Sequence, residues 1–205
     1  MSRSITPPME SDPAWEIARL FPAQGAWGEG DFLDLNRRTN RLVELSDGHI
    51  EVLEMPTKTH QRIVLFLYNA LLTFTQDSHL GEVLVAAYPV RLRPGSFREP
   101  DIVFMLAQHA DRLGEDFAVG ADLVLEVVSE NRRRDLEVKV SEYADAGIPE
   151  YWIVDPRDEK ITVMTLADGR YRARGEFKAG QSAASVLLPG FEVDVAVVFA
   201  SGKGR

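Results

Sequence analysis

Cysteine is absent from the 205 residues. The chain therefore has no disulfide staple, and with no closely spaced histidines either it offers no structural zinc site. A chain of this length can bury roughly 70% of its unfolded surface, so it needs no staple to fold. The absence fits a reducing compartment, and the expected location is the cytoplasm. Long apolar runs are also missing. The longest, "IVLFLYNALLTF", has 12 residues and is interrupted by Asn69, too short to span a bilayer. The start, "MSRSITPPMESDPAW", is polar and proline-rich, so no secretory leader is expected. No membrane partner follows from any segment.

Excess positive charge is lacking too. Lys and Arg number 23 against 32 Asp and Glu, a formal net charge of −9. That excludes a protein that grips nucleic acid over its whole surface, and any polyanion site must be local. Glycine patterns for a phosphate loop or a dinucleotide fold are absent, so no organic cofactor is expected. Ser129 has neither elbow glycines nor a nearby histidine, which argues against a serine hydrolase.

What is present reads as a mixed α/β chain, with a tail over residues 1–15 and one domain over 16–205. "RLVELSDGHIEVLEM" predicts a hairpin turning at Asp47-Gly48. A buried central helix is expected from Thr57 to about Gln76, apolar on more than one face. "EVLVAAYPVRL" reads as one strand and "PDIVFM" as its return after Pro94-Gly95. A polar loop follows over 107–120, then the strand "DLVLEVV". The next helix is expected over about 133–146, ended by Gly147 in a left-handed cap and blocked by Pro149. "EYWIVDP" completes a βαβ unit, so its two strands should be parallel with a right-handed crossover. An outer hairpin turns at Asp168-Gly169, and "VLLPGFEVDVAVVF" passes from strand to helix.

Two of these strands carry carboxylates. Alternation puts Glu126 on one face with Val124 and Val128, and Asp101 on one face with Val103 and Met105. On neighbouring strands the two acids converge. Two ionised carboxylates about 4 Å apart repel by about 4 kcal/mol at an effective dielectric near 20. A shared proton, a basic side chain or a divalent cation must answer that cost, and hard oxygen donors suit Mg²⁺ or Mn²⁺. Lys139 falls at the border of the apolar stripe of the following helix, where it can snorkel toward the sheet and reach both acids. Asp135, four residues earlier, can orient it or compete for it. The opposing reading stays open at this point: Asp135–Lys139 as an exposed i,i+4 pair worth roughly 0.2–0.5 kcal/mol, with Asp101 and Glu126 as ordinary structural acids.

At these residues the chain resembles the PD-(D/E)XK nuclease superfamily, and more closely the Uma-two family of restriction endonucleases. The resemblance runs from about residue 30 to 200. It is carried by "VELSDGHIEVLEM", His60, "REPDIVF", "LVLEVVSENRRRDLEVKVSEYADAGIPEYWIVDP" and "LPGFEVD", and the segment 122–156 is the most specific. It implies a restriction-endonuclease-like core: a mixed sheet flanked by helices, with an N-terminal hairpin and an outer hairpin. Carried over by position, it implies Asp101 and Glu126 as metal ligands, with the carbonyl of Val127 completing the site. The superfamily's lysine two residues after the glutamate is replaced by Val128. Family members resemble this chain in placing the lysine on the next helix, here Lys139. Glu44 corresponds to the superfamily's N-terminal acid, or equally is a solvated hairpin residue.

His60 can touch a phosphate or a metal-bound water, or simply cap its helix. Arg98 and the run Arg132, Arg133, Arg134, with Arg91 and Arg93 nearby, can grip DNA phosphates or form a solvated charge run. Tyr151 and Trp152 read as core or subunit contacts. The function expected is a Mg²⁺- or Mn²⁺-dependent endonuclease that cleaves DNA with a metal-activated water. A homodimer is expected by analogy with the superfamily. The alternative is a nuclease fold that no longer cuts and serves as a binding or assembly module, which the charge of −9 and Val128 favour. A glycoside hydrolase would need an aromatic-lined groove that the sequence does not display.

Overall fold

The computed structural model describes residues 20–76 and 78–203. The tail expected over 1–15 lies outside the described residues. The described chain opens with helix α1 (Glu29–Arg38), hairpin strands β1 (Val43–Ser46) and β2 (His49–Val52), and helix α2 (Lys58–Gln76). Strands β3 (Gly81–Val85), β4 (Val90–Arg93), β5 (Ser96–Arg98) and β6 (Ile102–Leu106) follow, then the short β7 (Ala118–Val119). The βαβ unit is β8 (Leu123–Val127), α3 (Lys139–Asp145) and β9 (Glu150–Asp155). The chain closes with β10 (Lys160–Ala167), β11 (Arg170–Phe177), β12 (Ser182–Ala184), β13 (Glu192–Asp194) and α4 (Val195–Lys203).

The strands form two large sheets. One has the order β11-β10-β9-β8-β6-β3, the other β2-β1-β5-β4-β7, and β12 pairs with β13. In the first sheet β8 and β9 are parallel, while β6 runs antiparallel to β8. All six residues of β9 are buried, as befits a central strand covered on both faces. On one face Leu123, Leu125, Val127, Trp152 and Val154 pack with Ile63, Leu67 and Leu71 of α2 and with Val198 and Phe199 of α4. On the other, Val103, Met105, Val124, Tyr151 and Ile153 pack with Tyr143 of α3. A third cluster under the hairpin holds Phe32, Val43, Leu45 and Phe97. Truncating a buried leucine in such a core to alanine typically costs about 2–5 kcal/mol.

Three expectations need correction. The stretch "EVLVAAYPVRL" is two strands in two different sheets: β3 pairs with β6, and β4 pairs with β5 and β7. Pro89, which has no N–H for a ladder, stands at the break. The second correction is to α2, which is not buried all round. Ile63, Leu67, Leu71 and Thr75, spaced four apart, form its buried stripe, while Leu65 is 56% exposed. Finally, the helix expected over 133–146 is interrupted by a π-helical turn, Arg134–Val138, between its first residues and α3. Its end is as the residues suggest. Gly147 has φ +76°, Ile148 N–H donates to Tyr143 O at 3.0 Å, and Gly147 N–H donates to Ala144 O at 3.0 Å. That pair of bonds is a Schellman cap.

Candidate active site

The register of β6 against β8 sets the site. Ile102 pairs with Leu125 and Val103 with Val124, so the next positions, Asp101 and Glu126, face each other at the strand ends. Both lie on the sheet face that α3 covers. They line one cleft of about 580 Å³ together with His60, Glu99, Val127, Arg134, Asp135 and Lys139.

Lys139 is 4% exposed and its Nζ lies 2.8 Å from Glu126 Oε1. Asp135 Oδ1 stands 3.4 Å from the same ammonium. The reading of Asp135–Lys139 as a solvated pair is therefore corrected: both side chains are buried. One turn on, Tyr143 Oη donates to Glu126 Oε1 at 2.5 Å. Asp135 Oδ2 accepts from Ser129 N–H at 2.9 Å and from Ser129 Oγ at 2.8 Å, which ties the π-helical turn to the segment just after β8.

Asp101 Oδ2 accepts from Val127 N–H at 2.7 Å, and His60 Nε2 stands 3.2 Å from it. The same His60 nitrogen lies 3.0 Å from Val127 O. Two acceptors on Nε2 require its proton there. His60 Nδ1 is buried without a partner.

Burial pushes Glu126 up to about 7; Lys139 opposes the shift, and the charges of Asp101 and Asp135 add to it. For Lys139, burial acts to lower the pKa, but Glu126, Asp135 and Asp101 outweigh it and the value is raised. The ammonium stays charged. His60 follows the same logic: burial lowers its pKa, but Asp101, Glu126 and the Val127 carbonyl raise it overall. The repulsion expected between two acids is thus met by two donors, the Lys139 ammonium on Glu126 and His60 Nε2 on Asp101.

Glu99 is a further acid of the cleft, beyond those the sequence pattern singles out. It is buried, its Oε2 accepts from Val43 N–H at 3.1 Å, and its Oε1 has no partner. Burial pushes Glu99 up to about 7, against the Val43 amide and the Lys139 charge. Its signal was available: in the extended "EPD", Glu99 and Asp101 are two apart and share a side. Tyr143, at helical spacing with Leu136 and Val140, carries no sequence signal that marks its hydroxyl as a partner of Glu126. Glu44 is neither solvated nor a cleft residue. It is buried at 1% exposure, and its Oε1 accepts from Glu99 N–H at 3.1 Å.

The arginines part company. Arg98 is 4% exposed and does not line the cleft. Its Nε donates to Glu142 at 2.7 Å and its Nη1 to the carbonyls of Leu45 and Phe97, each at 3.0 Å. Arg132 is held on Asp155 by two bonds of 2.8 and 2.7 Å. Arg93 is held likewise on Asp47 at 2.7 and 2.8 Å, and Arg91 lies over the Phe117 ring beside Glu29. Arg133 is exposed, with Glu137 at 3.4 Å. Arg134 stands at the cleft, bonded to Glu44 and Glu51.

Among the described residues no group of three or more His, Cys, Asp or Glu side chains is arranged to hold a metal ion. The smaller set still fits a hard cation. Asp101 Oδ1 and Glu126 Oε2 take part in no hydrogen bond among the described residues, since their partner oxygens carry all the contacts above. Mg²⁺ characteristically binds one or two carboxylates and keeps several waters, so two free oxygens and a carbonyl are a sufficient donor set.

The fold defined here, a mixed sheet carrying acids at the ends of β6 and β8, is restriction-endonuclease-like. Its likeness to a solved structure from Anabaena variabilis ATCC 29413, a "putative nuclease belonging to DUF820", has a TM-score of 0.68 at 14% identity, over 83% of this chain and 98% of that one. The type IIG restriction endonuclease BpuSI overlaps 74% of this chain and 18% of its own, with a TM-score of 0.39 and 16% identity. No curated protein matches. The profile of the Uma2 family, described as "Putative restriction endonuclease", matches residues 30–196, and the chain belongs to that family. No helix among the described residues is long and apolar enough to cross a membrane.

Proposed function

We propose that this chain is a metal-dependent endodeoxyribonuclease, with Asp101, Glu126 and the Val127 carbonyl holding Mg²⁺ or Mn²⁺. The observation that carries the reading is Lys139, a buried ammonium 2.8 Å from Glu126 in an open cleft that Asp101 also lines. The cation would polarise the scissile phosphate and ease deprotonation of the attacking water. The chain's own groups do the rest. Lys139 stabilises the negative charge that grows on the phosphoryl oxygens. Asp135 holds Lys139, Tyr143 fixes the orientation of Glu126, and His60 holds Asp101. Cutting both strands calls for two such sites, which a homodimer in the cytoplasm would supply.

The reading of a fold that binds without cutting keeps one ground, the charge of −9. Its other ground, valine at 128, loses force because Lys139 brings an ammonium to Glu126 by another route.

The test is purified protein on supercoiled plasmid with Mg²⁺ or Mn²⁺, comparing wild type with Lys139→Met and Glu126→Gln. Wild type should nick, and each variant should lose about 100-fold or more. Circular dichroism checks that the variants fold. Equal nicking by wild type and folded Lys139→Met overturns the mechanism. A wild type that neither nicks nor shows Glu126-dependent heat on Mn²⁺ titration favours the binding module.

A further inference from the structure

Glu44 and Glu51 are directly opposite each other on the hairpin, β1 against β2. Like charges in that position destabilise a strand pair unless something bridges them. Arg134 is the bridge: Nη2 goes to Glu44 and Nη1 to Glu51. The two halves of this bridge are unequal. The Glu44 side chain is 0% exposed, and Arg98 Nε stands 3.5 Å from its Oε2. The Glu51 side chain is 54% exposed and makes no other polar contact among the described residues. The Arg134 side chain is 12% exposed, and both Arg134 and Glu51 line the cleft that holds Asp101 and Glu126.

We infer that Arg134 is a phosphodiester-binding residue whose outer nitrogen is held, in the free protein, by Glu51 acting as a displaceable stand-in for a phosphate. The inference rests on reading the cleft as one that takes DNA. Glu44 anchors one prong of the guanidinium fork and fixes its direction, so little side-chain entropy is lost when a ligand arrives. A phosphate oxygen can take the other prong, because the guanidinium fork suits a carboxylate and a phosphate alike. Glu51 then swings into water, where its charge is solvated at little cost. Arg98 and Arg132 cannot serve in this way: Arg98 is buried, and Arg132 is held by both oxygens of the buried Asp155. Glu51 therefore sets a threshold that weak anions do not pass, and it lowers affinity for any single backbone phosphate.

The experiment is fluorescence anisotropy of a short labelled duplex in Ca²⁺, over a range of salt. Glu51→Gln should tighten binding about 3-fold or more, and the slope of log K against log salt should steepen as the competing carboxylate is removed. Glu54, another exposed acid of the same cleft with no ion pair among the described residues, is the control. Glu54→Gln should do distinctly less. Combined with Arg134→Gln, the Glu51 gain should vanish. No tightening, equal tightening by Glu54→Gln, persistence of the gain without Arg134, or no duplex binding by wild type each overturn the inference. The Glu54 comparison stands even where Arg134→Gln fails to fold. Nicking in Mg²⁺ is read separately. Wild type that nicks while Glu51→Gln is neutral removes the phosphate subsite alone. Duplex binding with the expected Glu51 effect and no nicking removes the nuclease reading alone.

Discussion

Hydrogen bonds sort the acids around the central sheet into two kinds. Glu150 takes Trp152 Nε1 and Ser185 Oγ on Oε1, and the amides of Val186 and Leu187 on Oε2. Asp122 takes Leu106 N–H on one oxygen and faces His109 with both. Both are saturated, and a saturated carboxylate is a structural part. Asp101 and Glu126 differ: each has one oxygen fixed by protein donors and one left over. Tyr143→Phe tests this division. It keeps a ring packed edge-on against Tyr151, centroids 5.1 Å apart, and removes only the hydroxyl on Glu126. Stability by urea unfolding should fall by about 1–2 kcal/mol, and nicking should fall by less than in Lys139→Met. Loss of nicking equal to that of Lys139→Met would make Tyr143 more than a fixing group. At this scale the strand acids were legible because alternation alone puts them on the α3 face. Glu44 was not, since only the folded hairpin reveals that its side chain turns inward onto Arg98 and Arg134.

At the scale of elements, the βαβ unit was the most legible part because its signals are local. The apolar run of β8, the helical spacing of Leu136, Val140 and Tyr143, and the Gly147-x-Pro149 stop all lie within 34 residues, 122–155. The division of residues 81–93 between two sheets was not legible, because it depends on partners far along the chain: Leu106 opposite Gly81, and Ala118 opposite Val90. Nor does any side-chain pattern announce a π-helical turn at Arg134–Val138, although such turns concentrate at functional sites. The cap offers a clean test of element stability. Gly147 sits at φ +76° with open space around it, so Gly147→Ala meets no clash and suffers only the left-handed backbone penalty. Chemical denaturation should show a loss of about 1 kcal/mol, with nicking at 25 °C unchanged. A neutral result would mean that the helix end relaxes out of its Schellman bonds without cost.

For the whole molecule, acid sensitivity follows from where the ion pairs lie. Arg132 opens the helical segment that leads from β8 into α3, and Asp155 ends β9, so their double hydrogen bond clamps the cleft rim to the sheet. Burial alone would raise the Asp155 pKa, but the Arg132 bond, the amides of Asp158 and Arg157, and the Arg132 charge hold it below the ordinary value. A depressed carboxylate binds its proton more weakly in the folded chain than in the unfolded one. Its contribution is therefore complete above the unfolded pKa of about 4 and is lost as pH falls through the lower folded value. Asp155→Asn should cost about 1–2 kcal/mol at pH 7, discounted because Arg132 is partly exposed. Below about pH 4 the unfolding curves of variant and wild type should draw together as Asp155 itself becomes neutral. Paired urea titrations at pH 7, 5 and 3 measure the gap directly. A gap that stays constant down to pH 3 would mean that the side chain's shape, and not its charge on Arg132, holds the cleft rim against the sheet.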